Sequence, residues 1–302
     1  MNSQRPERTT RKAFLLQISG AALAVRSAAQ EVRPPKVLII AAHPDDEYSF
    51  AATVFAITQK IGGTVDHVVI TNGEAGFRYS TLAERIYGFK LTKEEVGRRE
   101  LPAIRREETR RAGRILGVGR HYFLEQKDTG LSKNVSEALA HAWNIEAVEK
   151  QLVQLLETGS YGFVLTLLPT EQTHGNHQAA TLLALRAIQK LALKKRPVAL
   201  GAEPSAGESR TLFKGRSGYP ETKVVSDAPL FSFDRTRQLG PVPSMTYHII
   251  VNWMIAEYKS QGTYQTLYGK HSHENFWVFD NGSPGALARS RQFFEKLDAA
   301  TR

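Results

Sequence analysis

The chain of 302 residues has no cysteine. Disulfides and thiolate metal sites are therefore excluded, and any metal must rest on His, Asp and Glu. There is no G-x-G-x-x-G either. That pattern lets backbone approach a pyrophosphate in dinucleotide-binding folds, so such a nucleotide site is not expected. Beyond the first 29 residues no run is apolar for long enough to make a stable membrane span. Charge of one sign is not scarce, but its excess is modest. The formal net charge is +10, and residues 1–29 hold Arg5, Arg8, Arg11, Lys12 and Arg26 against Glu7 alone. The remaining basic residues are densest from Arg98 to Arg120, where they interleave with Glu100, Glu107 and Glu108. That mixture reads as a solvated helix face with local ion pairs, not as a nucleic-acid surface.

What is present is a soluble globular composition, 41% hydrophobic and 23% charged. Its length suits one large α/β domain over residues 30–302. Residues 1–29 read as an export signal. Arg11-Lys12 precedes an apolar stretch from Ala13 to Val25, and small residues follow at Ala22-Leu23-Ala24 and Ser27-Ala28-Ala29. Arg11-Lys12 is twin-arginine-like with Lys in the second place. The expected location is periplasmic or extracellular.

Short apolar runs alternate with helical periodicity from Lys36 onward. Strands are expected at Val37–Ala41, Val65–Thr71, His121–Leu124, Phe163–Leu168 and Val198–Gly201, with later ones at Leu230–Phe233 and Phe276–Phe279. Helices are expected over Asp46–Lys60, Asn144–Glu157, His177–Lys194 and Tyr247–Tyr258. Thr92-Lys93-Glu94-Glu95 matches a capping box for a short helix, and Pro102 is placed to open another that ends at Gly117. Residues 202–222, rich in Gly, Ser and Pro, read as an excursion. The βαβα alternation predicts a Rossmann-like, mostly parallel sheet with helices on both faces.

The strand Val37–Ala41 runs straight into Ala42-His43-Pro44-Asp45-Asp46-Glu47. An imidazole and three carboxylates at the end of a core strand are costly to hold without a compensating partner. A divalent cation supplies one. A second cluster, Thr173-His174-Gly175-Asn176-His177, follows the strand Phe163–Leu168. In the strand order 3-2-1-4-5, strands 1 and 4 are neighbours where the order reverses, and ligands gather at their carboxyl ends. The two clusters should then face each other. His43, Asp46 and His177 would supply three ligands to a catalytic Zn2+ with an open fourth position. Asp45, beside them, is placed to act as a general base, and His174 to donate to an oxyanion. Plainer readings exist: Asp45 or Asp46 could N-cap the next helix, and His174 with His177 could be an ordinary loop and helix start. His67 and His121 read as structural. His271-Ser272-His273-Glu274 has metal-like spacing but lies on a segment that reads as exposed. His248 and Lys259-Ser260-Gln261 could line a cleft.

The Ala-His-Pro-Asp-Asp-Glu stretch resembles that of the PIG-L/LmbE family of zinc-dependent N-acetylglucosaminide deacetylases. Thr71-Asn72-Gly73-Glu74-Ala75-Gly76, Arg105-x-x-Glu108, Leu116-Gly117-Val118, Phe123-Leu124 and Asp128-Thr129-Gly130 are similar as well. The resemblance covers about residues 36–185. It implies that one Zn2+ is held by His43, Asp46 and His177, that Asp45 is the base and that His174 is the electrophilic histidine. It also implies that Arg105 and Asp128 contact the hydroxyls of an N-acetylated sugar or glycoconjugate. Gly175-Asn176 replaces the Pro-Asp common between the two histidines, and Gln172 stands where some members carry Tyr. The function expected is removal of an N-acetyl group from an amino sugar. The rivals are zinc hydrolysis of another amide or an ester, and metal-dependent sugar binding without catalysis.

Overall fold

The computed structural model describes residues 34–262 and 270–302. The expected export segment lies outside the described residues. Strands β1 (Lys36–Ala41), β2 (Thr64–Thr71), β3 (Val118–Gln126), β4 (Phe163–Leu167), β5 (Val198–Ser205), β6 (Phe231–Asp234) and β7 (His273–Val278) form one sheet. Their order is β3-β2-β1-β4-β5-β7-β6. The first five are parallel, while β7 runs antiparallel to β5 and to β6. The chain steps from β1 outward to β3, then returns to the other side of β1 as β4. That reversal is the switch point at which α/β sheets open a crevice.

The helices are α1 (Ala51–Gln59), α2 (Glu84–Tyr87), α3 (Glu94–Leu116), α4 (Ile145–Gly159), α5 (Gly175–Gln189), α6 (His248–Glu257) and α7 (Ala286–Thr301). Helices α1, α3, α6 and α7 pack on one face with Val37, Ile39 and Ala41 of β1. Helices α4 and α5 pack on the other with Leu38 and Ile40. Because β1 is buried on both faces from Val37 on, its side chains there alternate between two cores yet are all apolar. Among the described residues no helix is long and apolar enough to cross a membrane.

Several elements differ from the sequence expectation. The helix expected over Asp46–Lys60 is a 3-10 segment, Asp46–Phe50, followed by α1. The expected capping box does not form. Thr92 instead hydrogen-bonds Glu84 through both its N–H (2.9 Å) and its hydroxyl (2.5 Å). Pro102 opens no helix and lies inside α3. One continuous buried stripe, Leu101, Arg105, Glu108, Ala112 and Leu116, carries that helix through the lost hydrogen bond. Residues 202–205 of the expected excursion continue β5. Helix α7 was not anticipated, although Phe293, Phe294 and Leu297 bury one side of it.

Candidate metal centre

The centre is built where β1 and β4 end side by side. Asp46 turns back toward β1: its Oδ2 accepts hydrogen bonds from the N–H groups of Ala42 and His43, each at 2.8 Å. This backward grip excludes the plain reading of Asp46 as a forward helix cap. It leaves Oδ1 to face the histidines. Across the crevice, His174 is the N-cap of α5 and accepts from Asn176 N–H through Nδ1 at 3.1 Å. His177 lies one turn further along.

Three donor atoms converge. His177 Nε2 lies 3.0 Å from Asp46 Oδ1 and 3.0 Å from His43 Nδ1. His43 Nδ1 lies 3.7 Å from Asp46 Oδ1. Ligands held about 2.0–2.1 Å from one tetrahedral metal are about 3.3 Å apart, so this donor set fits a zinc-type ion. His43, His174 and His177 also each bring one ring nitrogen within 4.8 Å of the others, and that triplet too could hold a metal. The two sets differ in the third ligand. With Nδ1 of His174 accepting from a backbone N–H, its neutral ring carries the proton on Nε2.

Burial and mutual charge shift the titration of these groups. Burial, together with His43 and His177 nearby, pushes His174 down to about 3, so it is neutral. Burial opposes the charge on Asp46, but His177 and His43 hold its carboxyl well below the usual range. Burial likewise opposes charge on His43, yet Asp128 and Asp46 raise it well above 6.5. Asp45 is pushed well up by burial and by the neighbouring Asp46. Burial also raises Glu47, to about 7.

Asp45 has φ 110°. This left-handed backbone costs a non-glycine residue about 1–3 kcal/mol, and such strain concentrates at functional sites. Asp128 is nearly enclosed. Its Oδ1 accepts from Gly130 N–H and Asn176 Nδ2, both at 2.9 Å, and faces His43 Nε2 at 3.5 Å. Its Oδ2 accepts from Ala75 N–H at 3.1 Å. Asp128 thus faces the ring nitrogen of His43 that points away from His177, and Asn176 Nδ2 lies 3.1 Å from the same nitrogen. Arg105 is buried and donates to the carbonyl of Gly73, to that of Gly76 at 3.5 Å and to Ser260 Oγ at 3.2 Å. Gly73 is required for this packing, since a Cβ there would lie 2.5 Å from Arg105 Nη1.

All seven residues expected from the sequence line one cavity of about 750 Å³. Phe77, Tyr79 and Leu131 form apolar wall, and Ala202–Pro204 bring the end of β5 to it. Gln261 lines it as well, whereas His248 and Lys259 do not. Glu274 is bound to Arg235 in a buried ion pair, so the His271–Glu274 stretch is structural there. His67 and His121 are neighbours across β2 and β3, their ring centres 5.7 Å apart and tilted by 60°, away from the cavity. Asn176 was not anticipated. It is buried and ties Asp128 to Thr129, whose hydroxyl donates to its Oδ1 at 2.7 Å. Gly175 has its own reason: its N–H donates to Ser132 at 2.6 Å, and a Cβ would meet the Asn134 carbonyl at 2.7 Å. A proline there would lose that bond. Gln172 is away from the cavity and accepts from Lys133.

Fold and site together define a Rossmann-like α/β protein with a histidine and carboxylate centre at the sheet's switch point. The chain belongs to the PIG-L family: the family model described as GlcNAc-PI de-N-acetylase matches residues 38–188. Among solved structures, the chain is similar to an N,N′-diacetylchitobiose deacetylase from Pyrococcus horikoshii. Identity is 28% over 51% of this chain and 49% of that one, with a TM-score of 0.38. The match thus spans about half the length of that deacetylase. A 4-carboxy-2-hydroxymuconate hydratase from Pseudomonas putida aligns at 14% identity over 81% of this chain and 95% of its own, TM-score 0.52, a likeness of fold alone. The pseudoaglycone deacetylase Dbv21 aligns at 19% over 83% and 99%, TM-score 0.49. No curated protein sequence matches.

Proposed function

We propose that this protein is a zinc-dependent hydrolase that removes the N-acetyl group from an amino sugar, free or within a glycoconjugate. One observation carries the reading: His43 Nδ1, Asp46 Oδ1 and His177 Nε2 converge to 3.0–3.7 Å at a cavity that Asp45 and His174 also line. Membership of a de-N-acetylase family supports it. His43, Asp46 and His177 would hold the ion, with Asp128 facing the ring of His43. When bound, zinc supplies Lewis acidity and makes water acidic enough to ionise near neutral pH.

The remaining chemistry belongs to the chain. Asp45 takes the proton of the attacking water and returns it to the leaving nitrogen; its raised pKa suits both halves of that transfer. His174, neutral and protonated on Nε2, donates to the developing oxyanion. Arg105 and Asp128 form the part of the wall assigned to sugar hydroxyls. The export-like start of the chain points to a substrate outside the cytoplasm.

The test is acetate release from N-acetylglucosamine, N,N′-diacetylchitobiose and longer oligomers, alongside acetylated peptides and acyl esters. Acetate from an amino sugar is expected. Cleavage confined to peptides or esters would move the protein to a different substrate class, and no cleavage of any kind would leave only binding.

A further inference from the structure

The Pro44–Asp45 peptide is held from both sides. Its carbonyl, that of Pro44, accepts from Gln261 Nε2 at 2.8 Å. Its N–H, that of Asp45, donates to Glu47 Oε2 at 3.1 Å. Glu47 is buried and its other oxygen accepts from the hydroxyl of Tyr258, itself fully buried. Turning Asp45 from its left-handed φ of 110° to an ordinary one requires this peptide to flip. The flip would set the Pro44 carbonyl against the Glu47 carboxylate and the Asp45 N–H against the Gln261 amide donor. Both partners thus stabilise the observed orientation, and Glu47 also opposes the alternative, whereas the Gln261 amide carries an acceptor that suits either.

We infer that Glu47 and Gln261 are positioning residues for Asp45: they hold the strained peptide that presents its carboxylate to the cavity. The inference rests on the reading of Asp45 as the general base. Gln261 and Tyr258 lie beyond residue 188, where the family match ends, so the matched segment does not contain the whole of its own brace. Neither Glu47 nor Gln261 needs to touch the substrate or an ion. Their effect passes through Asp45.

The experiment measures kcat, KM and zinc content for Gln261→Met, Glu47→Gln and Tyr258→Phe on the amino sugar that the wild type turns over fastest. Gln261→Met removes only a donor at a half-buried position, and Tyr258→Phe removes only the hydroxyl that holds Glu47. Gln261→Met should lose about ten- to a hundred-fold in kcat, the scale of a misplaced catalytic group, with KM and zinc unchanged. Placed in an Asp45→Asn background it should cost nothing further, because the residue it positions is already disabled. Two results would overturn the positioning role alone: Gln261→Met and Tyr258→Phe at wild-type kcat, or Gln261→Met slowing Asp45→Asn by the same factor as it slows wild type. Full activity of Asp45→Asn, or a wild type inactive on every substrate, would instead remove the reading on which it rests.

Discussion

Helix α1 starts five residues after Asp46, and the carboxylate that caps it comes from the far end of the chain. Glu274 Oε1 accepts from Ala52 N–H and Oε2 from Thr53 N–H, both at 2.8 Å. Oε1 also accepts from Arg235 Nε at 2.9 Å, and both side chains of this pair are fully buried. Arg235 in turn donates to the Tyr48 carbonyl at 2.5 Å and lies 4.6 Å from the Tyr48 ring centre. Glu274→Gln keeps the shape but leaves Arg235 as an uncompensated buried charge, which costs about 3–5 kcal/mol. It also leaves one of the two helix N–H groups without an acceptor, a further ~1–3 kcal/mol. The sum, about 4–8 kcal/mol, rivals the whole stability of a marginal domain, about 5–15 kcal/mol. Arg235→Met should cost less, about 3 kcal/mol, because Glu274 keeps both helix N–H partners. The double variant should fall short of the sum of the two by about 2 kcal/mol or more, since it buries no lone charge. Urea unfolding of the three variants measures this. Strict additivity, or a cost below about 1 kcal/mol for Glu274→Gln, would refute the assignment of this pair as the anchor of α1.

Asp45→Asn should retain zinc and lose about 10²–10⁴-fold in kcat, the usual contribution of a general base; an emptied metal site would show Asp45 to be a ligand. His67 should make the fold acid-sensitive. Burial and His121 push its pKa down to about 3, and neither ring nitrogen has a hydrogen-bond partner among the described residues. The unfolded chain takes up this proton below about pH 6.5 while the folded chain refuses it, so stability is complete above that pH and falls as pH drops toward 3, by up to about 1.4 kcal/mol per unit. His67→Leu should flatten that decline in urea titrations between pH 7 and 4.5, and an unchanged slope would assign the acid sensitivity elsewhere. Longer N-acetylglucosamine oligomers should gain in kcat as well as affinity if the apolar wall of Phe77, Tyr79 and Leu131 binds units beyond the reacting sugar. Equal rates on monomer and oligomers would confine recognition to one sugar.

Much of the site was legible because its chemistry is concentrated at two strand ends. The apolar run of β1 predicts burial, and carboxylates on such a strand end ask for a counter-charge. The parallel order then brings His43 and His177 together from positions far apart in sequence. The helix expected from Asn144 begins there for a local reason: the Asn144 side chain caps α4 by accepting from Ala147 N–H. What escaped is set by long-range packing. Pro102 reads locally as a helix start, yet a buried stripe carries α3 through it. Nothing around Glu274 or Tyr258 in sequence reveals that they fasten the turn after β1, more than two hundred residues away. Asn176 sits between two predicted site histidines, but only the fold shows that it meets Asp128.

The division of the ligands is the central claim, and zinc content measured beside acetate release tests it most directly. Purified protein should bind one zinc per chain, lose turnover on chelation and regain it when zinc returns. His43→Ala, Asp46→Ala and His177→Ala should each empty the site, whereas His174→Ala should keep the metal and lose only turnover. A metal-free preparation at full activity, or zinc lost in His174→Ala and kept in Asp46→Ala, would contradict the account.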